Sequence, residues 1–559
     1  MAENPSAPAG EIAGGLSPFH FGAGAPGQPP PGKDRIGAKG HHLAVMCGLG
    51  LPVPPGFIIG CGICRDYLER KALPGDYPTQ SALAMADLGR RADRVFGSED
   101  RPLLVSVRSG SVTSMPGMLE TILDIGLCDA TVEGLAADSG NPRFAWDSYR
   151  RLIVSFGSTV RGIPRARFEE ILADEKRKSG AVLDREVDAE THRQVVRRSL
   201  ALFGSSGLGP FPQDPYRQLQ EAVEAVFRSW MGSRAVEYRR LHRLPDTDGT
   251  AVTVQAMVFG NYGHSSGTGV AFTRNPSTGT RGLYADFLLN AQGEDIVGGG
   301  VDPDGGEELA RTMPAVHRQL LEFGRMLENH FTDMQDMEFT VQEGRLFLLQ
   351  TRGGKRTPLA AVRIAVDLAE EGIIDRPKAL ERLAEVDLDH VRQPRLEIPQ
   401  WVQPMVRGEV ASVGSLSGRI ALSSERARRM KRDGDPVILV RPETRTEDLA
   451  GIIASDGIIT ARGGRTSHAA VVARHLGKAC FTGCSSLEID EAGGLLRVAG
   501  REFREGDWIS MEDRTGGIFA DRYESRLEDE DPALLKAREW ARELCLTDHP
   551  ILRGPAQIN

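Results

Sequence analysis

At 559 residues the chain is too long for one compact core, which predicts two to four domains. Its 68 basic and 77 acidic residues leave a formal charge of −9 spread along the sequence, which argues against a nucleic-acid or anionic-membrane partner. Apolar stretches are short and charge-interrupted, the seven cysteines suggest no disulfide framework, and MAENPSAPAGEIAGG lacks a basic start before an apolar core, so a cytoplasmic protein without membrane spans is expected.

Residues 1–34, ending in GAGAPGQPPPGKD, are rich in Pro, Gly and Ala and predict a flexible arm. From 35 to 357, short β-like runs (LLVSVRS, AVTVQAMVF, GVAFT, RLFLLQTR) alternate with helical stretches (FAWDSYRRLIVSF, YRQLQEAVEAVFRSWM), the pattern of a mixed α/β enzyme domain. Within it, Cys61 and Cys64 make a CxxC with no second pair or nearby His, which reads as buried small residues rather than a zinc or redox site. The charge-dense stretch at about 165–202 has the spacing of a solvent-facing helical insertion. A helical linker beginning LAAVRIAVDLAEEGII occupies 358–399. The region 400–522 carries strand-like runs, GRIAL, PVILV, GIIASDGIIT and LLRVAG, interrupted by one apolar helix, HAAVVARHLG. A charged helical tail, 523–559, reads as the remnant of a second linker or as a docking helix for a partner, with Leu535, Trp540 and Leu544 making its apolar contacts.

The sharpest chemical signal is ARGGRTSHAAVVARHLG, where glycines and polar residues lead from a strand into an apolar helix with His468 at the junction. Unpaired backbone N–H groups and the positive dipole end there favour neutral imidazole and would stabilise an anion attached to it, both of which suit a nucleophile that becomes phosphohistidine. A plainer reading makes Thr466 or Ser467 an N-cap and His468 a helix-start residue. Phosphoryl transfer from ATP also needs cations, a metal held by oxygen and backbone over the nucleotide. Lys39 lies between glycines ahead of an apolar helix pattern, and Arg108 ends a strand before the small-residue loop SGS. Each alone could be a surface cation. In DMEFTVQEGRLFLLQTRGGKR, hairpin alternation puts Asp336 and Glu338 on one face with Gln350 and Arg352 on the next strand, a magnesium-compatible oxygen set or a salt-bridged hairpin surface.

GGRTSHAAVVAR resembles the phosphohistidine motif of the family containing pyruvate phosphate dikinase and phosphoenolpyruvate synthase, and VILVRPETRTEDLAGIIASDGIIT, KACFTGC and GDWISMEDRTGGIF extend the likeness through the third region. KGHHLAVMCGLGLPVPPGF, LLVSVRSGSVTSMPGMLETILDIGL, FAWDSYRRLI, VQAMVFGNYG, SGTGVAFTRNPSTG, LNAQGEDIVGG and LQTRGGKRT resemble the same family's nucleotide-binding half, in family order and closer to the dikinase. The resemblance implies an α/β and α+β multidomain protein, with an ATP-grasp domain over 35–357 and a swivelling β/β/α phosphohistidine domain over 400–522. It makes His468 the phosphate carrier. Lys39, Arg108, Glu338, Gln350 and Arg352 then contact ATP or its Mg2+, with Glu338 and Gln350 as metal ligands. Gly267 to Gly269 cover phosphates, and Thr466 is a target of regulatory phosphorylation. Two departures are visible: GEVASVGSLSG at the start of the third region, and His264 where an acidic residue is common.

The family's dikinases end in a pyruvate-binding barrel, which needs about 250 residues, whereas only about forty follow the histidine region here. The expectation is therefore a dikinase half that takes ATP and inorganic phosphate, releases AMP and pyrophosphate, and passes phosphate from His468 to pyruvate through a separate barrel subunit. ATP is expected between two lobes of the first region, with His468 Nε2 attacking in line. Two other readings stay open: a dikinase for another acceptor, such as phenol or rifamycin, and a non-catalytic ATP-binding regulatory protein.

Overall fold

Runs rich in Val and Ile with buried alternate positions become strands, and runs with apolar residues three and four apart become the helices that cover them. The computed structural model describes residues 16–25, 27–113, 115, 119–181, 184–297, 304–386, 391, 394–444, 448–464, 467–491, 493–527, 531–546 and 549–552. The chain divides into two units, residues 1–258 with 347–350, and residues 259–346 with 351–559. Of the expected flexible arm, residues 1–15 and 26 lie outside the described residues; within the rest Phe19–Phe21 is a strand paired with Gly56–Ile58, Leu16 and Phe21 are buried, and a helix begins at Lys33.

In the first unit, β1 (Phe19–Phe21), β2 (Gly56–Ile59), β3 (Val105–Ser111), β4 (Thr121–Ile125) and β5 (Thr250–Ala256) form an antiparallel sheet of order β1-β2-β5-β3-β4. Every residue of β2 and β5 is buried. The helix Pro215–Ser229 presents Leu219, Ala222, Val223, Val226 and Phe227 to the core and is capped by Asp214, whose carboxylate accepts from the Tyr216 N–H at 3.0 Å. The charge-dense stretch forms the helices Arg165–Ser179 and Ala189–Ser205. They have an apolar inner face: Phe203 meets Phe211 edge-on at 5.5 Å, and Phe168 and Val195 are buried.

One buried ionic group lies in this helical layer. Asp147, on the helix Pro142–Thr159, accepts from Arg150 at 2.6 Å and Arg151 at 3.0 Å, with His192 Nε2 at 3.9 Å. Burial pushes the Asp147 carboxyl up, but Arg151 and Arg150 outweigh it and hold it well below the usual carboxylate range. Burial pushes His192 down to about 4, against the opposing pull of Asp147. The folded value lies below the unfolded one, so neutral His192 contributes full stability above about pH 6.5, and up to about 3 kcal/mol is lost as pH falls to 4. Melting temperature measured from pH 7.5 to 4 should fall less steeply in His192→Leu than in the parent chain; parallel curves would refute this.

A second sheet holds β6 (Gly267–Arg274), β7 (Arg281–Leu289), β8 (Asp304–Gly305) and β9 (Gln335–Gln342) of the second unit with β10 (Arg345–Gly353), whose Phe347–Gln350 group with the first unit, in the order β10-β9-β6-β7-β8. The predicted hairpin is present. Glu343 and Gly344, with φ of 50° and 75°, are the two-residue turn whose twist matches its strands. At the end of β6, buried Arg274 donates to Glu328 at 2.7 Å and Glu371 at 2.9 Å. Arg274→Met leaves the buried Glu328 carboxylate without this cation and should cost about 3–5 kcal/mol in urea unfolding. Adding Glu328→Gln should recover part of that loss.

The linker helices Pro358–Glu370 and Arg376–Leu383 pack with the C-terminal helix Pro532–Glu543 around Val362, Leu380, Leu534 and Trp540. This corrects the expectation for Trp540. It is 4% exposed, with Arg376 over its ring at 5.2 Å, so the chain's own linker takes the contact reserved for a partner. Leu535 and Leu544 stay exposed.

The remaining strands are β11 (Pro394–Leu396), β12 (Val406–Arg407), β13 (Glu409–Ser412), β14 (Leu416–Ala421), β15 (Val437–Arg441), β16 (Gly457–Thr460), β17 (Ala479–Thr482), β18 (Glu488–Asp490), β19 (Leu495–Val498), β20 (Arg501–Arg504), β21 (Trp508–Glu512), β22 (Gly517–Ala520) and β23 (Ser525–Leu527). Eight of them make a sheet of order β12-β22-β21-β14-β15-β16-β17-β13, in which β14, β15, β16 and β17 run parallel. One face packs through Ile438, Ile459 and Phe481 on the small sheet β18-β19-β20, through Leu496 and Val498. The other packs through Leu439, Ile458 and Cys480 on Ala427, Ile452, Ala469 and Ala473 from three helices. The result is a β/β/α layering. β11 pairs antiparallel with β23, so the segments entering and leaving this domain run side by side.

Two local expectations are corrected. Three helices, Ser424–Arg432, Leu449–Ala454 and His468–His475, interrupt the strands, not one. GIIASDGIIT is not one strand but the end of a short helix, a break at Ser455–Asp456, and β16. A parallel sheet requires a crossover between neighbouring strands, and a six-residue apolar helix has no periodicity that tells it from a buried strand. All seven cysteines are free thiols. Among the described residues no helix is long and apolar enough to cross a membrane.

Candidate functional site

Lys39 sits on the helix Lys33–Gly48, which breaks at Gly37 (φ 72°, ψ 164°), so Lys39 falls in the first turn of the helix proper, where N–H groups lack intrahelical partners. Arg108 is the one half-buried residue of an otherwise buried β3. It lies mid-strand, not at a strand end as expected, because Ser109, Gly110 and Ser111 continue the ladder opposite Val252, Ala251 and Thr250. The two are brought together through Gly110: a Cβ built there would stand 3.7 Å from Lys39 Cβ. Gln350, on β10, is buried and groups with this first unit.

The second unit gathers the acids. Arg352 Nε donates to Asp336 Oδ2 at 2.7 Å, and its Nη2 lies 4.0 Å from Glu338 Oε1. Burial pushes the Asp336 carboxyl up; burial also lowers Arg352, but Asp336 and Glu338 outweigh it and leave the guanidinium raised. Asp336 is buried while Glu338 is half-exposed, so the pair divides into a structural acid and an accessible one. Magnesium is commonly held by one or two carboxylates plus substrate phosphates, and a half-exposed Glu338 fits that demand; among the described residues no cluster of three or more His, Cys, Asp or Glu forms a cage of its own. Gly267 and Gly269 lie inside β6, not in a loop. Cβ atoms there would meet Phe287 Cζ at 2.4 Å and Phe339 Cζ at 2.2 Å, rings that stack across the strand at 6.0 Å. Packing against these rings gives both glycines a structural reason.

His468 is the first residue of the helix His468–His475; its side chain and all of Thr466 lie outside the described residues. Ser467 takes the N-cap position, but its hydroxyl caps nothing: it is buried and, among the described residues, has no hydrogen-bond partner. Thr460 and Thr482, the last residues of the adjacent parallel strands β16 and β17, also carry buried hydroxyls without partners among the described residues. Strand alternation puts both on the face with Ile458 and Cys480, which the His468 helix covers. Both hydroxyls thus lie at the carboxyl ends of parallel strands, on the face that the helix covers. Sequence reasoning singled out neither threonine, since only the pairing of β16 with β17 brings them level.

Residues 76–320 and 307–372 match the family described as "Pyruvate phosphate dikinase, AMP/ATP-binding domain", and residues 434–516 match "PEP-utilising enzyme, mobile domain". Arg108, Gly267, Gly269, Glu338, Gln350 and Arg352 fall in the first match and His468 in the second, while Lys39 precedes both. The chain is 46% identical over 515 residues to "Pyruvate, phosphate dikinase" of Rhizobium meliloti (strain 1021), 90% of this chain and 57% of that protein. It is 43% identical to the Clostridium symbiosum protein of the same name (91% and 59%) and 44% identical to "Pyruvate, phosphate dikinase 2" of Zea mays (90% and 57%). The chain thus spans under two thirds of the length of these relatives.

Proposed function

Because the chain belongs to the pyruvate phosphate dikinase family, we propose that it moves phosphate from ATP onto His468 for delivery to pyruvate at a barrel supplied from outside these 559 residues. The observation that carries this reading is the uncapped start of the His468 helix, with the buried Ser467 hydroxyl beside it. A serine cap would occupy N–H groups that a transferred phosphoryl group can use, and here they are left to it.

In this reading Lys39 and Arg108 neutralise phosphate oxygens, Arg352 orients Glu338, and Glu338 with Gln350 holds Mg2+, which would screen charge on the bound ATP phosphates. His468 attacks the β-phosphorus, forming the N–P bond as the bond to AMP breaks. Inorganic phosphate then takes the terminal phosphoryl group, leaving phosphohistidine and pyrophosphate.

The test uses purified chain with ATP labelled at either the β or the γ position. Acid-labile label should be retained from both positions without phosphate; adding phosphate should release the γ label as pyrophosphate and leave the β label bound. Loss of γ label as free phosphate with none added would identify water as the second acceptor. Absence of protein label under all conditions would leave an ATP-binding protein without transfer chemistry.

A further inference from the structure

The helix that begins at His468 carries a buried cation at its far end. Arg474 is 1% exposed; its Nη1 donates to the Ala411 carbonyl on β13 at 2.8 Å, and its guanidinium carbon stands 5.6 Å from the centre of the Phe272 ring on β6. Ser277, just after β6, donates to the same Ala411 carbonyl at 2.7 Å. One carbonyl of the histidine domain is thus gripped from its own helix and from the nucleotide-binding sheet. Burial lowers the Arg474 guanidinium, while Tyr284 and Asp286 of β7, Cys480 and Asp336 of β9 pull it back up. Asp336 feels that cation in turn: it is 5% exposed, Arg352 satisfies Oδ2, and the charge of Arg474 works against the upward push of burial on its carboxyl.

We propose that Arg474 is a positioning residue, a reversible latch that seats the His468 helix on the nucleotide-binding sheet through Phe272 and through the Ala411 carbonyl that Ser277 also grips. The proposal rests on the reading of His468 as a mobile phosphate carrier. A buried guanidinium suits that task better than an apolar plug would. Its desolvation cost nearly cancels its Coulombic gain, so the contact sets register without trapping the domain, and on release the cation returns to water. Arg474 lies six residues beyond His468, about 9 Å along the same rigid helix, so a tilt at the latch displaces the nucleophile directly. Near-attack geometry tolerates little such displacement.

The test measures docking apart from chemistry. Spin labels at Arg318 and Arg428, exposed residues on the helices Pro314–Phe331 and Ser424–Arg432, report the distance between the nucleotide-binding sheet and the histidine domain in the full chain. Arg474→Met should lower the docked fraction at least threefold and Arg474→Lys less. The labelling rate at saturating ATP should fall with it, while ATP affinity stays unchanged. Phe272→Leu, which removes the ring under the guanidinium and leaves the acids of the ATP site in place, should also lower the docked fraction, and it decides the matter should Arg474→Met fail to fold. A docked fraction equal to the parent's in a folded Arg474→Met or Phe272→Leu chain overturns the latch. If the parent takes no label, the carrier reading fails, yet the distances still decide whether Arg474 seats the domain.

Discussion

His468→Asn should reduce acid-labile label from β-labelled ATP to background, a loss of at least about a thousandfold, while ATP affinity and melting temperature stay close to the parent's. Asparagine is tolerated at a helix start, and the packing of this helix comes from Ala469, Ala470 and Ala473, all buried and all unchanged. What the substitution removes is the imidazole nitrogen that can attack phosphorus. Oxygen and amide groups at that position are poor nucleophiles at neutral pH, so the effect falls on chemistry and not on folding. Label persisting on the variant would assign the acceptor role to another residue and detach the uncapped helix start from the reaction.

The second large effect is expected at Gly37. Its backbone occupies φ 72° and ψ 164°, a region closed to residues with a Cβ, and an added Cβ would lie 1.9 Å from the Gly110 carbonyl oxygen and 2.6 Å from its carbon. Both atoms are backbone, so no rotamer relieves the clash and the helix must lift away from β3. Lys39 is two residues beyond Gly37 and Arg108 two before Gly110, so lifting the helix separates the two cations proposed for ATP. Gly37→Ala should cost about 3 kcal/mol or more in urea unfolding and weaken ATP binding at least tenfold by calorimetry. Gly110→Ala is the internal control, because the nearest atom to its added Cβ is 3.7 Å away and its φ is ordinary. Equal stability in the two variants would show that the close approach at Gly37 does not order this corner.

The contrast between these two positions also shows how far the sequence could be read. GRTSHAAVVAR is contiguous, so His468 and the helix behind it were legible from neighbouring residues alone. The β9–β10 hairpin was legible for the same reason: period-two alternation and a two-residue turn are local properties. Gly267 and Gly269 were assigned to phosphate cover by the family resemblance. Rings at Phe287 and Phe339, brought over them by strand pairing, supply a packing reason that no window around 267 contains. GIIASDGIIT was read as strand because apolar content does not distinguish a short crossover helix from a buried strand. Trp540 was assigned to a partner because its real neighbours, Val362 and Leu380, lie far back in the chain.

By itself, the sequence determined the family, the α/β character of the chain, the proposed nucleophile and the types of residue proposed to hold ATP and its metal, since each depends on residue identity within a short span. Only the tertiary structure decided that Asp336 is a buried partner of Arg352 beside an accessible Glu338, that Thr460 and Thr482 end level on one face, and that Arg474 reaches the nucleotide-binding sheet. Those facts depend on burial and pairing between distant segments. The energy of a charge or hydroxyl is set by what surrounds it in space, and the order of residues along the chain does not specify that until the sheets have formed.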